Sequence, residues 1–269
     1  MPEGPEIRRA ADRIEKAIRD RELVSVTLDF EPLRGLEEVL EGETVTGITT
    51  HGKAMLTHFS GGLTLYSHNQ LYGVWKIARK ADPKTNRRLR VALRTEGVAA
   101  LLYSATDVDV LDADGVAGHP FLRKLGPDAL WESTDVDEVD ERLQSKTFSG
   151  RSLGALLLDQ SFVAGLGNYL RSEILFCASL RPEQRPRDLT RGQRRKVARE
   201  TLKLTRRSYE TAGVTLPASV VPARRKGQRR ERFWVFARQG KRCRRCDDSI
   251  EKIVVGSRRL YLCPTCQSG

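Results

Sequence analysis

The sequence predicts an α+β protein of two domains, with a β-rich first half, a helical second half and a small metal-bound β-hairpin at the end. Three observations carry this. Short β-type runs separated by Gly and Asp clusters fill the stretch from about Leu23 to Leu111. Helical periodicity returns beyond about residue 138. Four cysteines close the chain as Cys243-x2-Cys246-x16-Cys263-x2-Cys266. A chain of 269 residues has room for two cores of ordinary size.

The elements follow in order. Residues 5 to 19 read as a helix: Pro5 suits the first helical position, and Ile7, Ala10, Ala11, Ile14, Ala17 and Ile18 recur near a period of 3.6. Runs such as 23–28, 55–59, 63–66, 90–94 and 99–103 then read as strands of a sandwich or barrel. These make an N-terminal domain over 1–125. The stretch 126–137, with one proline and several acids, reads as a linker. A helical domain over 138–222 follows: Leu170, Ile174 and Cys177 form one apolar stripe, and a long charged helix spans roughly Thr190 to Glu210. The remainder, 223–269, is a basic segment and the cysteine hairpin.

Hydrophobic residues make up 39% and the mean hydropathy is -0.45, as in a soluble globular protein. No run approaches the roughly 18 apolar residues of a membrane span, and the N-terminus has no secretory signal, so a cytoplasmic protein is expected. The net charge of +12 favours a polyanionic partner. Between Arg224 and Arg245 stand eleven basic residues against one acid, Glu231, a local balance of +10. Phe233-Trp234-Val235-Phe236 inside that run reads as a strand, and no amphipathic helix is present to lay the charges on a membrane. Nucleic acid is therefore the expected partner.

Two C-x2-C knuckles at this spacing fit a tetrahedral four-thiolate zinc site on a hairpin. Disulfides are the alternative, and a cytoplasmic setting disfavours them. With all four positions filled by sulfur, one structural zinc ion is expected. Cys177 reads as an ordinary core thiol. At the other end, removal of Met1 would leave Pro2 with a free secondary amine, partly unprotonated at neutral pH because an α-amine titrates near about 8. Such an amine can attack an aldehyde-like carbon and form an iminium, with Glu3 beside it as acid or base. Taken alone, Pro2-Glu3-Gly4-Pro5 reads first as a plain helix entry, and that reading outweighs the catalytic one.

Read together, Pro2-Glu3-Gly4-Pro5-Glu6, His51-Gly52-Lys53, Tyr66 to Trp75, Gly165-Leu166-Gly167-Asn168-Tyr169 and the cysteine hairpin resemble the Fpg/Nei family of DNA glycosylases, most of all its endonuclease VIII branch. The resemblance spans the whole chain in the family's order. It implies a β-sandwich domain with flanking helices, then a helix–two-turn–helix domain and zinc hairpin. It also implies a monomer that acts on damaged DNA, removing oxidised pyrimidines and cleaving the strand by β,δ-elimination. Carried over residue by residue, it makes Pro2 the Schiff-base nucleophile and Glu3 the acid that assists sugar opening. Lys53 becomes the lysine of β-elimination and Arg258 the hairpin arginine that grips phosphate and serves δ-elimination. Asn168 falls at the start of the second helix of the helix–two-turn–helix motif, where it can bind a phosphate or simply cap the helix. Gln70, Leu71 and Tyr72 match a loop pushed into the duplex, because an extruded nucleotide leaves a vacancy that an apolar wedge fills. Without the resemblance, Leu71 and Tyr72 read as strand core.

Two positions depart from the family pattern. Lys124 precedes Leu125-Gly126-Pro127 where many members carry arginine, so a point charge replaces a bidentate fork at that phosphate contact. Arg259 stands where a close endonuclease VIII relative has proline. Other readings remain at this point: a formamidopyrimidine-type enzyme for oxidised purines, a non-catalytic DNA-binding zinc protein, or a transcription-type zinc ribbon.

Overall fold

The structure, a computed structural model, describes residues 2–221 and 231–268. The chain divides into two compact units, Met1–Lys124 and Leu125–Gly269.

The first unit opens on α1 (Gly4–Ile18). Pro5 occupies its first turn, where a missing N–H costs nothing, and Glu6 Oε2 accepts from the Glu3 amide at 3.0 Å. Ile7, Ala11, Ile14, Ala17 and Ile18 are buried along one face. Burying each of the three isoleucines contributes about 1.5–3 kcal/mol. Then come β1 (Leu23–Leu28), α2 (Leu36–Leu40), β2 (Val45–His51), β3 (Ala54–Phe59), β4 (Thr64–His68) and β5 (Val74–Ala78). They are followed by β6 (Leu89–Thr95), β7 (Val98–Tyr103), β8 (Asp107–Leu111) and α3 (Ala113–Gly118). The strands form two four-stranded sheets, β1-β6-β7-β5 and β2-β3-β4-β8, with every pairing antiparallel. The sandwich expected from the alternating runs is thus present, and Leu23, Val26, Ile48, Met55, Leu65, Leu93 and Leu102 share a core with α1. The far face of β3 and β4 carries a second cluster, Ala54, Leu56 and Tyr66, against which Leu111, Phe121 and Leu122 pack.

In the second unit, residues 126–137 are held by backbone bonds. Gly126 N donates to Gln160 O at 2.9 Å, Asp128 bridges Ala164, and Asp135 caps α4 (Val136–Gln144) by accepting from Glu138 N at 2.8 Å. After α5 (Leu153–Leu156) comes α6 (Asn168–Ala178), of which every residue from Tyr169 to Ala178 is buried. A helix covered on all sides is apolar all round, and α6 obeys this except at Arg171, Ser172 and Glu173, each 0% exposed. The charged helix α7 (Arg191–Glu210) starts with a Thr190–Gln193 capping box and packs Val197, Ala198, Leu202 and Leu204 inward. The terminal hairpin, β9 (Glu251–Val255) and β10 (Arg258–Leu262), pairs Arg258 with Val255 and buries Leu260 and Leu262 in the same core.

One expectation is overturned here. Phe233-Trp234-Val235-Phe236 is not a strand but a bend and turn. Its amides turn inward onto Glu173: Trp234 N donates to Oε2 at 2.8 Å, and Val235 N and Phe236 N donate to Oε1 at 2.8 and 2.9 Å. Thr215 Oγ1 is a fourth donor. Three consecutive amides aimed at one carboxylate cannot also form a ladder, so the acceptor on α6 decides the conformation. Within the basic run, Arg224, Arg225, Lys226, Arg229 and Arg230 lie outside the described residues. No helix is long and apolar enough to cross a membrane among the described residues.

Candidate active site and nucleic-acid-binding residues

In the first unit, Pro2 is half-buried and Glu3, 3% exposed, is the N-cap of α1. Glu3 is extended, and its carbonyl accepts from Glu6 N and Ile7 N, both at 3.1 Å. The helix start therefore fixes the backbone of the residue beside Pro2.

Lys53 is set by a tight hairpin. His51 pairs with Ala54 across β2 and β3, so Gly52 and Lys53 are the whole turn. Gly52 takes φ +60° at its first position, which a side chain would resist. Ala54 in turn pairs with His68, whose protonation is disfavoured first by burial and, less, by the charge of Lys53, against the opposing charge of Asp107. His68 ends β4 and leads straight into Asn69 and the loop 70–72.

That loop is exposed at its tip and tied at its base. Leu71 is 56% and Tyr72 70% exposed, so the strand-core alternative for these two side chains does not hold. Gly73 N closes a turn onto Asn69 O at 2.7 Å. A Cβ on Gly73 would stand 2.6 Å from that same oxygen, so only glycine fits. Gln70 has φ +47°; its amide donates to His68 Nδ1 at 3.3 Å and its Oε1 accepts from Thr106 Oγ1 at 3.1 Å. Arg87 Nη1 donates to Tyr72 O at 2.6 Å. Beneath the loop, Tyr66 is fully buried, its hydroxyl donating to Asp107 Oδ2 at 3.3 Å; burial first, and Asp107 second, raises its pKa. His119 stacks on Tyr66 with ring centroids 4.2 Å apart, pairs with Asp109 at 3.3 Å, and accepts the amides of Phe121 and Leu122 at Nδ1. The exposed Lys124 ends the turn that His119 holds.

In the second unit, Asn168 is the first residue of α6, and Gly167, not Asn168, is the N-cap. The capping role considered for Asn168 is thereby corrected, for its Oδ1 accepts from Arg171 Nη2 at 2.7 Å instead. Arg171 is the residue the sequence did not flag. Its guanidinium also donates to Gly154 O at 2.8 Å, Arg259 O at 3.1 Å, and Val255 O and Arg258 O at 3.5 Å. One buried fork thus joins the helix start to both sides of the hairpin turn that presents the exposed Arg258 and Arg259 side chains. A sequence signal existed: three consecutive polar residues, Arg171-Ser172-Glu173, interrupt a helix otherwise apolar on every face.

The four cysteines converge. Their Sγ atoms lie within 4.8 Å of one another, with Cys243 to Cys266 at 3.8 Å and Cys246 to Cys263 at 3.4 Å. A tetrahedron of Zn–S bonds near 2.3 Å has edges of about 3.8 Å, so the donor set fits zinc. Arg245 N and Cys266 N point at Cys243 Sγ and Cys263 Sγ at 3.4 and 3.5 Å, as thiolates require of their surroundings. Gln267 links the knuckle to the core, accepting from Cys263 N at 3.0 Å and donating to Leu180 O at 2.8 Å. Cys177 is a buried thiol pushed up to about 12, first by burial and then by Glu173, and is chemically inert at neutral pH.

Comparison with known proteins places this geometry. Three family models match: the formamidopyrimidine-DNA glycosylase N-terminal domain over residues 1–107, the formamidopyrimidine-DNA glycosylase H2TH domain over 125–219, and the zinc finger found in FPG and IleRS over 240–269. Endonuclease 8 of Klebsiella pneumoniae subsp. pneumoniae is 48% identical over 268 residues, which cover 99% of this chain and 100% of that protein. Endonuclease 8 of Salmonella arizonae is 47% identical over the same span. Among solved structures, Lactococcus lactis Fpg in complex with DNA containing an abasic site superposes with a TM-score of 0.83 at 23% identity, covering 99% of this chain and all of that one. One structural zinc ion belongs to the four-cysteine site, as the zinc-finger match and the sulfur geometry agree. The chain belongs to the formamidopyrimidine-DNA glycosylase and endonuclease 8 family.

Proposed function

We propose that this protein is a bifunctional DNA glycosylase and AP lyase of base excision repair that removes oxidised pyrimidines from DNA in the cytoplasm and cleaves the strand by β,δ-elimination. The observation that carries this reading is the pinned loop. Two large apolar side chains are held out in solvent on a turn that adjoins Lys53. A soluble protein has no folding reason to expose them there, and a base-everting enzyme needs such a wedge.

In this reading, the chain that has lost Met1 presents the Pro2 amine to C1′ of the everted nucleotide. The N–C1′ bond forms as the glycosidic bond breaks, and the base leaves with a proton. Glu3 protonates the ring oxygen as the sugar opens to the iminium. Lys53 serves loss of the C2′ proton and departure of the 3′ phosphate. A second proton loss then expels the 5′ phosphate, whose charge Arg258 stabilises. Water hydrolyses the iminium and frees Pro2, leaving a one-nucleotide gap with phosphate at both ends. Asn168 and Lys124 contact backbone phosphates. The zinc ion fixes the knuckles and takes no part in these steps. The first unit is the catalytic sandwich domain, and the second supplies the helical and hairpin phosphate contacts.

Borohydride trapping tests it. Oligonucleotides carrying one abasic site, thymine glycol or 8-oxoguanine are incubated with the protein and with a Pro2→Gly variant. A covalent adduct with the wild type that the variant lacks is expected, with thymine glycol favoured over 8-oxoguanine. Full lyase activity in the variant overturns the nucleophile assignment, and a preference for 8-oxoguanine overturns the pyrimidine assignment.

A further inference from the structure

His68 stands where three features of the first unit meet. It is the last residue of β4, paired with Ala54 of β3 and Asp107 of β8. Its ring packs edge-on against Phe121, with centroids 5.0 Å apart. Phe121 is itself held through its amide by His119, so the imidazole rests against a fixed wall. From that position Nδ1 accepts the Gln70 amide at 3.3 Å. Gln70 is in the left-handed region at φ +47°, a conformation that residues with a side chain rarely adopt. The bond from its amide to the imidazole favours that conformation, which turns the chain so that Leu71 and Tyr72 point outward. The loop's other two side-chain ties are Thr106 to Gln70 and Arg87 to Tyr72 O.

We propose that His68 is a positioning residue for the wedge, a neutral imidazole whose Nδ1 lone pair holds the base of the loop in its inserting shape, and whose protonation releases it. This rests on the reading of Gln70-Leu71-Tyr72 as a wedge. A proton on Nδ1 converts the acceptor into a donor facing another donor, and it places a positive charge beside Lys53. The charged groups facing the ring are Lys53 from the β2–β3 turn and Asp107 from β8; Phe121 on its third side is uncharged. Burial pushes the imidazole below the ordinary histidine range, Asp107 opposes this, and Lys53 adds to it. The sign follows. The neutral, loop-holding form prevails at neutral pH, and the loop is lost only as the pH falls through a value below about 6.5.

The test separates insertion from chemistry. Duplexes carry a tetrahydrofuran abasic analogue, which cannot form an iminium, opposite 2-aminopurine, whose fluorescence rises when a wedge disturbs its stacking. Stopped-flow amplitudes are measured between about pH 5 and pH 8 for the wild type, His68→Asn, His68→Phe and Tyr72→Ala. Asparagine can accept the amide two residues on without titrating. The wild type is expected to lose amplitude on the acid side and His68→Asn to stay flat. His68→Phe is expected to be reduced about fivefold at every pH, the scale of one lost hydrogen bond. An acid limb in His68→Asn that matches the wild type overturns the proposal, as does wild-type insertion by His68→Phe. If His68→Phe does not fold, the flatness of His68→Asn decides alone. Tyr72→Ala distinguishes the two levels of inference: no change in its signal removes the wedge itself, whereas loss of signal there with a normal His68→Phe removes only the role of His68.

Discussion

Replacing Glu173 by glutamine perturbs one atom at a point where four donors converge. In the native protein the carboxylate takes the amides of Trp234, Val235 and Phe236 and the hydroxyl of Thr215, and the group is wholly buried. Burial pushes its pKa up, and the four donors pull it back. Glutamine keeps one carbonyl oxygen and adds an NH2. The least costly placement puts that NH2 at the Oε2 position, where the Thr215 hydroxyl can rotate to accept from it. The Trp234 amide then faces a donor and is left buried without a partner, at about 1–3 kcal/mol. The Val235 and Phe236 bonds lose their charge assistance, roughly 1 kcal/mol each. The sum is about 3–5 kcal/mol. For a unit of this size about 2–4 °C of melting temperature is lost per kcal/mol, so a fall of roughly 10 °C is expected. Differential scanning calorimetry of the zinc-loaded protein measures it. Because the bend 233–236 leads into Cys243, zinc release to a chromogenic chelator is expected to quicken in parallel. A Glu173→Gln protein within about 1 kcal/mol of the wild type would show that the amides are satisfied some other way, and the account of the bend would fail.

Two further outcomes follow from the geometry. Gly73→Ala puts a methyl 2.6 Å from Asn69 O and rebuilds the wedge loop. Single-turnover excision of thymine glycol is expected to fall about tenfold, whereas cleavage at a pre-formed abasic site falls less because eversion there is easier; equal losses on both substrates would contradict the wedge. Cys246→Ser removes the exposed thiolate of the quartet. It is expected to abolish the one-to-one zinc content read by atomic absorption and to destabilise the second unit, since binding energy at a closed thiolate site is folding energy. Full zinc content in the variant would show that a different ligand set holds the metal.

How much of this was legible beforehand depends on how far away the deciding atom lies. The zinc quartet was readable because spacing fixes it locally. The sandwich was readable from alternation, since a half-buried strand shows its period directly. Phe233 to Phe236 was misread because bulky β-formers look the same in a strand and in a bend. What selects the bend is a carboxylate 61 residues away on α6. Leu71 and Tyr72 look like core for the same reason, and the turn that exposes them combines the closure of Gly73 onto Asn69 with the left-handed Gln70. Arg171 was missed because a lone arginine in a helix ordinarily means a solvated face. Its burial becomes visible only with five oxygen acceptors in place around it.

These cases share one physical arrangement. Three of the features assigned to chemistry or to phosphate are exposed or half-exposed at short turns: Lys53 between β2 and β3, the wedge between β4 and β5, and Arg258 at the start of β10. A turn of a few residues has little apolar area of its own, so burial cannot hold it still. The wedge and the hairpin are held instead by polar groups beneath them: His68 and Thr106 under the wedge, Arg171 under the hairpin. Desolvating such groups is costly unless every bond is made, and an apolar replacement of equal volume could fill the same space only by leaving the backbone partners unsatisfied. It would also supply no direction. A hydrogen bond fixes a backbone oxygen or amide to within a few tenths of an ångström, and the placement of a reacting group controls rate far more steeply than it controls stability. On this argument a Leu or Met at position 171 would strip the donor from Gly154 O, Asn168 Oδ1 and Arg259 O, so calorimetry should show a less stable second unit, and the Arg258 turn would lose its position so that phosphate-dependent steps slow in single-turnover assays.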